Sequence, residues 1–205
     1  MITVGIDLGN QSVKVVILKD GAILSRGQAF SGFDPAKAAE QAVGEALKKA
    51  KLSLTDVNHV TATGSGMDMA PYANSTLSMM GADAKAGVYL FPKARTIIDV
   101  GAEEARAVKC DENGIMIDFV VNERCAAGAG TFIEAMARAL EVKLEEMGPL
   151  SLKAERASPI NATCVIFGES DVVSLIHRQE SNLRSLVPYL TPWLTVSHRW
   201  FTDLG

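Results

Sequence analysis

Two segments of the chain place an aspartate two residues before a glycine at the end of an apolar run. They read Asp7-Leu8-Gly9-Asn10-Gln11-Ser12-Val13-Lys14 and Asp99-Val100-Gly101-Ala102. A tight glycine turn can direct backbone N–H groups at phosphate oxygens, a lysine adds positive charge, and a carboxylate can hold Mg²⁺ through water. The first segment therefore indicates a phosphate site, and a polar hairpin turn on the surface of a sheet is the alternative.

The second segment favours the phosphate hypothesis, because two carboxylates on equivalent strands of facing lobes can clamp a metal-nucleotide between them. The two lobes form a weak internal repeat, since each starts with a strand that ends in aspartate, an aliphatic residue and glycine. No residue is assigned a catalytic role. The predicted nucleotide contacts are Asp7, Gly9, Asn10, Gln11, Ser12, Lys14, Asp99 and Gly101.

Two of the three cysteines, Cys125 and Cys164, lie near the junctions between a loop or strand and a predicted helix. Cys125 stands in a glycine-rich loop, where a helix N-terminus favours a thiolate or an anionic cluster. Two thiolates in one chain cannot complete a four-thiolate iron–sulfur site, whereas two chains can. The alternative is a pair of buried thiols that act as small hydrophobes.

The composition excludes several classes of protein. Of 205 residues, 48% are hydrophobic and 21% charged, which is typical of a globular chain. A formal net charge of -4 leaves no excess of positive charge for a nucleic-acid backbone. No apolar run approaches the roughly 20 residues of a membrane helix. The N-terminal segment carries an acidic residue where a signal peptide would have its apolar stretch. We therefore expect a cytoplasmic protein without a nucleic-acid or membrane partner.

The predicted elements position these residues on an α/β scaffold. In the first lobe, strands at residues 2–8, 13–18 and 22–30 form an antiparallel sheet, followed by a helix capped by Asp34. A fourth strand at 58–64 and a helix at 75–90 complete this lobe.

Strands dominate the start of the second lobe. They are expected at 96–102 and in the runs EARAVKC and GIMIDFVV, before a helix over TFIEAMARALEV. The run ATCVIFGES is predicted to form a strand and a turn, and DVVSLIHR a second helix. The domains are then 1–93, 94–178 and a divergent tail, 179–205.

Several motifs together resemble one known family. These are the two Asp-x-Gly turns with Lys14, the run NERCAAGAGTFIE, and the run TCVIFGESDV. They are similar to the ATPase family of benzoyl-CoA reductase ATP-binding subunits and 2-hydroxyacyl-CoA dehydratase activators, from residue 1 to about 178. Because alanine follows Gly101, the chain looks nearer the benzoyl-CoA reductase D-type subunit than the homodimeric activators.

The resemblance implies an actin-like ATPase fold, also found in sugar kinases and Hsp70, with two related lobes. It further implies ATP and Mg²⁺ as cofactors and a 4Fe-4S cluster shared by two subunits, to which this chain would contribute Cys125 and Cys164. Cys110 matches no ligand position. The implied function is ATP-coupled delivery of low-potential electrons to a benzoyl-CoA-type acyl-CoA reductase. The implied partners are a homologous ATPase subunit, reductase or dehydratase subunits, and an electron donor such as ferredoxin.

Other functions remain open at this point. An activator of a 2-hydroxyacyl-CoA dehydratase is the alternative within the family, and a non-catalytic scaffold of the same fold is a further one. A small-molecule kinase leaves both cysteine loops unexplained. Beyond about Arg178 no glycine-rich adenosine motif follows. We therefore expect an incomplete second lobe, weak ATP binding by the chain alone and a tendency to associate.

Overall fold

The structure is a computed structural model that describes residues 1–121, 129–153 and 165–177. The chain divides into two units, Met1–Leu90 and Phe91–Gly205. The boundary expected from the sequence, after residue 93, lies three residues further along.

A five-stranded sheet forms the base of the first unit. Its strands are β1 (Ile2–Leu8), β2 (Ser12–Lys19), β3 (Ala22–Phe30), β4 (His59–Thr63) and β5 (Ser75–Thr76). The order is β3-β2-β1-β4-β5, with β1 to β3 antiparallel and β4 parallel to β1. The three predicted antiparallel strands and the fourth strand are confirmed. Parallel pairing of β1 and β4 brings the ends of both strands to one edge of the sheet.

Helix α1 (Pro35–Ala50) covers one face of this sheet. Asp34 caps it by accepting a hydrogen bond from the Lys37 N–H at 3.1 Å, as the sequence predicts. Alanines on the buried side of α1 permit close approach to β3. A Cβ on Gly27 of β3 would overlap the carbonyl oxygen of Ala42, so only glycine fits at this crossing. The helix thereby buries the apolar side of the sheet, including Ile6, Leu8, Val13 and Ile17.

Helix α2 (Met79–Leu90) ends the first unit and begins later than the predicted residue 75. Ser75 and Thr76 belong to β5 instead, because the backbone there pairs with Thr61 and Ala62 of β4. Pairing with β4 therefore makes these two residues a strand, although the sequence predicted a helix there.

The second unit begins with a three-stranded antiparallel sheet. Its strands are β6 (Thr96–Val100), β7 (Ala105–Cys110) and β8 (Met116–Val121), in that order across the sheet. All three were predicted. Val108 and Cys110 of β7 are buried, so Cys110 serves as a small apolar side chain in the interior.

Helices α3 (Ala129–Ala139), α4 (Leu144–Ser151) and α5 (Val165–His177) follow within the described parts of this unit. Phe132 and Met136 of α3, and Leu140 directly after it, are fully buried at the spacing that predicted this helix. Helix α4 was not predicted from the sequence.

The strand expected in the run ATCVIFGES is wrong where the structure describes it, because residues 165–170 are helical. Val165, Ile166 and Phe167 are β-branched and aromatic, which favoured a strand. The buried positions, however, are Gly168 and Val172, four residues apart. Val172 belongs to the apolar cluster of α3 and α4, and this packing requires a helical period.

Candidate functional site

The first Asp-x-Gly segment forms a hairpin between β1 and β2. Asp7 lies opposite Lys14 in the strand register, and the Lys14 Nζ is 3.1 Å from the Asp7 Oδ2. The two side chains are 57% and 39% exposed, for the lysine and the aspartate respectively. An ion pair so exposed contributes about 0–1 kcal/mol, so an incoming anion can take the lysine at little cost.

The turn between β1 and β2 contains the other nucleotide contacts that the sequence predicts in the first unit. The Gly9 N–H donates to the Ser12 carbonyl oxygen at 3.2 Å, which closes the turn. A Cβ on Gly9 would lie 2.9 Å from that oxygen, so glycine permits the closure. The Gly9 and Gln11 carbonyl oxygens accept hydrogen bonds from Ser31, which is buried. The turn is therefore held in place from behind by the end of β3.

A second loop, Gly64-Ser65-Gly66, lies against the same hairpin. The Ser65 Oγ and the Asn10 Oδ1 are 2.5 Å apart, and the Gly66 N–H donates to the Leu8 carbonyl oxygen at 3.0 Å. Gly64 has a φ of +92°, and a Cβ there would lie 2.5 Å from the Asp7 Oδ1. This loop therefore forms one wall of the space beside the Asp7 carboxylate. No role was predicted for this loop from the sequence, although two glycines around a serine at the end of a strand indicate a tight turn.

The second Asp-x-Gly segment forms a hairpin of the same construction between β6 and β7. The Gly101 N–H donates to the Glu104 carbonyl oxygen at 2.8 Å, matching the Gly9–Ser12 closure. Asp99 lies opposite Arg106, and the two side chains form an ion pair. The Asp99–Arg106 and Asp7–Lys14 pairs have the same sequence separation, 7 residues. The predicted repeat of the two lobes therefore also includes the basic residue that pairs with each aspartate. Arg106 was not predicted as a site residue from the sequence.

Arg106 differs from Lys14 in burial and in the number of its partners. Its side chain is 10% exposed, and its Nη1 donates to the Glu104 Oε1 at 2.9 Å while its Nη2 engages Asp99. One guanidinium therefore holds two carboxylates, which suits its planar fork of donors. The Arg106 guanidinium therefore offsets the negative charge of the Glu104 carboxylate.

The turn of the second hairpin is also bonded to the start of α3. The Gly130 N–H donates to the Gly101 carbonyl oxygen at 3.2 Å, and the Thr131 N–H donates to the Ala102 carbonyl oxygen at 3.2 Å. The Thr131 Oγ1 adds a third bond to the Ala102 oxygen at 3.0 Å. A Cβ on Gly130 would lie 2.7 Å from the Gly101 oxygen. The first turn of α3 is therefore fixed directly to the Gly101–Ala102 turn.

Cys125 and Cys164, the predicted cluster ligands, lie outside the described residues. In sequence, Cys125 stands four residues before Ala129, the first residue of α3, and Cys164 directly precedes α5. Among the described residues, no group of three or more histidines, cysteines, aspartates or glutamates is placed to hold a metal ion. Within the same parts of the chain, no helix combines the length and apolarity needed to cross a membrane.

The first hairpin suits a Mg-nucleotide on two observations. The Asp7 carboxylate is partly exposed and faces a glycine wall that any Cβ would fill. The Thr63 Oγ1, at the end of the neighbouring β4, is buried and has no hydrogen-bond partner among the described residues. A single carboxylate suits Mg²⁺, which keeps several waters and takes its other ligands from phosphates. Asp7, Lys14 and the Gly9–Gln11 turn are the residues that would hold this group.

The sheets and the repeated hairpins belong to an actin-like ATPase fold, which is the fold that the resemblance implied. Residues 4–186, most of the chain, match the BadF/BadG/BcrA/BcrD ATPase family, and the chain belongs to that family. The resemblance stated from the sequence motifs is thereby confirmed.

Named relatives and a solved structure agree with this assignment. The chain is 38% identical to the "Activator of lactoyl-CoA dehydratase" of Anaerotignum propionicum, over 85% of this chain and 67% of that protein. It is 35% identical to the D-type subunit of the benzoyl-CoA reductase of Thauera aromatica, over 86% of this chain and 64% of that protein. The structure of the Clostridium difficile activator of 2-hydroxyisocaproyl-CoA dehydratase, with bound ADPNP, superimposes with a TM-score of 0.87 at 28% identity, covering 100% of this chain and 76% of that one.

The chain spans about two thirds of the length of these curated relatives. The alanine after Gly101 favoured the D-type subunit of benzoyl-CoA reductase, whereas the higher of the two identities belongs to the dehydratase activator. Both branches of the family therefore enter the proposal below.

Proposed function

We propose that this chain is the nucleotide-binding ATPase component that drives electrons into an acyl-CoA dehydratase or reductase. ATP with Mg²⁺ would bind at the Asp7 and Asp99 hairpins. Cys125 and Cys164, with the corresponding cysteines of a second ATPase subunit, would hold a 4Fe-4S cluster. A donor such as ferredoxin would supply the electron, and the acyl-CoA enzyme would accept it.

The observation that carries this proposal is the bonding between the Gly101–Ala102 turn and α3. A nucleotide that moves this turn also moves the Gly130 and Thr131 amides bonded to it. The chain enters α3 four residues after Cys125. The hairpin proposed to sense nucleotide is thus connected through a short path to the segment proposed to hold the cluster.

Two specific partners are supported by different observations. The 38% identity to a lactoyl-CoA dehydratase activator and the superposition on a dehydratase activator favour a 2-hydroxyacyl-CoA dehydratase. Ala102, after the turn glycine, favours a benzoyl-CoA-type reductase. The two assignments differ in assembly, because the activators of the resemblance are homodimeric, whereas a reductase subunit lettered D indicates a complex of different subunits.

Anaerobic purification with iron and sulfide analysis tests the cluster. We expect about four irons for every two ATPase subunits. We also expect loss of the visible absorption in Cys125→Ser and Cys164→Ser, and its retention in Cys110→Ser. A cluster that survives Cys125→Ser but is lost in Cys110→Ser would contradict the assignment. A homodimer in the purified complex supports the dehydratase activator, and a heterodimer supports the reductase.

Nucleotide binding is tested by titrating the chain with MgATP. Asp7→Ala should weaken binding by about tenfold or more, equivalent to about 1.4 kcal/mol. The thermal midpoint should change little, since Asp7 lies on the sheet face opposite the core. Asp20→Asn is the matched control, because Asp20 is an exposed carboxylate in the turn between β2 and β3, at the other end of β2. Unchanged MgATP affinity in a folded Asp7→Ala protein would refute this site.

A further inference from the structure

Three side chains stand in a row across the sheet of the first unit, on the face opposite α1. Asp7 of β1 is opposite Lys14 of β2 on one side and opposite Thr63 of β4 on the other. Paired residues on adjacent strands point to the same face, and such strands lie about 4.8 Å apart. The neighbours Leu8, Val13 and Ala62 are buried on the other face. Thr63 is therefore a direct neighbour of the carboxylate at the predicted nucleotide site.

The two oxygens of the Asp7 carboxylate have different surroundings. The Oδ2 accepts a hydrogen bond from the Lys14 Nζ at 3.1 Å. The Oδ1 lies toward Gly64, the residue after Thr63, since a Cβ on Gly64 would come within 2.5 Å of it. Lys14 thus holds one side of the carboxylate, and the end of β4 borders the other side.

The hydroxyl of Thr63 is buried and has no hydrogen-bond partner in the described parts of the chain. A buried hydroxyl without a partner destabilises the folded state. By contrast, the hydroxyl of Thr61, two residues earlier on the same face, lies 3.2 Å from the Ser75 Oγ. Most buried polar groups of native proteins are hydrogen-bonded. The exception at Thr63 therefore indicates that its hydroxyl forms a hydrogen bond in another state of the protein.

We propose that Thr63 is a positioning residue for Asp7 in the nucleotide-bound state. When the Lys14 ammonium leaves Asp7 for a phosphate oxygen, the carboxylate loses one hydrogen-bond donor and is free to rotate. The Thr63 hydroxyl then donates to it and holds it in the orientation that binds a metal-bound water. Among the described residues this hydroxyl has no acceptor, and in the nucleotide-bound state the Asp7 carboxylate becomes its acceptor. This inference rests on the proposed function, because it requires Mg-nucleotide at this hairpin.

The test compares four substitutions in the full chain. Thr63→Val and Thr63→Ala remove the hydroxyl, Thr63→Ser retains it, and Thr61→Val removes the neighbouring hydroxyl as the matched control. Binding of MgATP and of ATP with a chelator in excess is measured by titration calorimetry, and folding by the thermal midpoint. The metal-free arm matters because a residue that merely supports the strand would affect both forms of ATP alike.

We expect Thr63→Val to weaken MgATP binding by about tenfold and metal-free ATP binding by less than about twofold. Thr63→Ser and Thr61→Val should bind MgATP like the wild type. The thermal midpoint of Thr63→Val should be unchanged or higher, since an unpaired buried hydroxyl is replaced by a methyl group. Thr63→Ala gives the same comparison if the valine variant does not fold.

Three outcomes would overturn the inference. The first is wild-type MgATP affinity in Thr63→Val or Thr63→Ala, and the second is an equal loss in Thr61→Val. The third is an equal loss of metal-free and MgATP binding. In each of these cases the wild-type chain still binds MgATP, so the proposed function stands. A wild-type chain that binds no MgATP, either alone or assembled with a second ATPase subunit, would instead refute the proposed function, and this inference with it.

Discussion

At the scale of single residues, the two hairpins use one arrangement with two different cations. Lys14 is exposed beside Asp7, whereas Arg106 is largely buried between Asp99 and Glu104. Breaking an exposed pair costs little, whereas the Arg106 guanidinium, itself largely buried, would become an uncompensated charge if its two partly exposed carboxylates left it. We therefore expect Lys14 to exchange partners when nucleotide binds and Arg106 to keep its carboxylates in place.

Gly64 offers a prediction at the same scale. Gly64→Ala should destabilise the protein by more than about 2 kcal/mol, because alanine is strained at the positive φ and its Cβ also collides with Asp7 and Leu8. Gly21→Ala is the matched control, since Gly21 has a φ of +84° and nothing within 4 Å of an added Cβ. Its cost should be only about 1–2 kcal/mol. Denaturant unfolding of both variants measures the difference, and equal losses would show that the wall at Asp7 is not tight.

At the scale of elements, the position of α1 depends on how closely it approaches β3. Gly27 leaves room for the Ala42 carbonyl, and the Ser25 Oγ donates to the Ala46 carbonyl oxygen at 2.8 Å. The helix therefore lies directly on the backbone of β3, and its alanines fill the space that larger side chains would occupy. The same sheet carries Asp7 and Thr63, so this contact also fixes the frame of the candidate site.

Two glycine substitutions test this packing with opposite signs. Gly27→Ala should destabilise by about 3 kcal/mol or more, because the helix must shift to admit the Cβ. Gly44→Ala, on the exposed side of α1, should stabilise by about 0.5–1 kcal/mol, since its Cβ would meet nothing within 4 Å and alanine favours the helix. Urea unfolding of the two variants provides the measurement. A neutral Gly27→Ala would contradict the close approach.

The 3-10 turn Leu54–Asp56, which leads into β4, makes stability depend on pH. The Asp56 carboxylate accepts hydrogen bonds from the Ser53 N–H at 2.8 Å and from the Ser53 Oγ at 2.7 Å. The backbone bond, followed by the hydroxyl bond, lowers the pKa of Asp56 below its ordinary value of 3.8.

Because the folded-state pKa is depressed, the carboxylate of Asp56 stabilises the fold above pH 3.8 and loses this effect as pH falls further. We expect Asp56→Asn to be less stable than the wild type at pH 7. The difference between the two should shrink below about pH 4. Thermal unfolding between about pH 3 and pH 7 measures it, and a gap that is constant with pH would refute the assignment.

At the scale of the whole molecule, the proposed function requires that a nucleotide at the hairpins affects the segment proposed to hold the cluster. In the second unit this connection passes through Thr131, which bonds the Ala102 carbonyl oxygen through both its N–H and its Oγ1. The side-chain bond can be removed alone, while the helix and the backbone bond remain.

Thr131→Val in the cluster-loaded complex should therefore weaken the response of the cluster to nucleotide. We expect the ratio of iron-chelation rates with ATP and with ADP to fall roughly threefold to tenfold toward unity, as suits the loss of one hydrogen bond. Ser170→Ala is the matched control, because the exposed Ser170 hydroxyl donates within its own helix, α5, to the Ile166 carbonyl oxygen. A ratio that is unchanged in Thr131→Val would place the coupling elsewhere.

The sequence by itself determined the elements whose signals are local. Short apolar runs separated by glycine turns predicted β1 to β3 and β6 to β8, and Asp34 with Pro35 predicted the start of α1. The repeated Asp-x-Gly turns predicted both hairpins and their carboxylates. These features depend on neighbours a few residues away, so they can be predicted before the tertiary structure is known.

Tertiary structure alone decided which residues face those carboxylates. Thr63 and Gly64 are 56 and 57 positions from Asp7, and only the parallel pairing of β1 with β4 brings them together. Likewise, α5 is helical where its residue types favoured a strand, because Val172 packs into the cluster of α3 and α4. Strand register and helix packing arise from contacts between distant parts of the chain, and local periodicity carries no information about them.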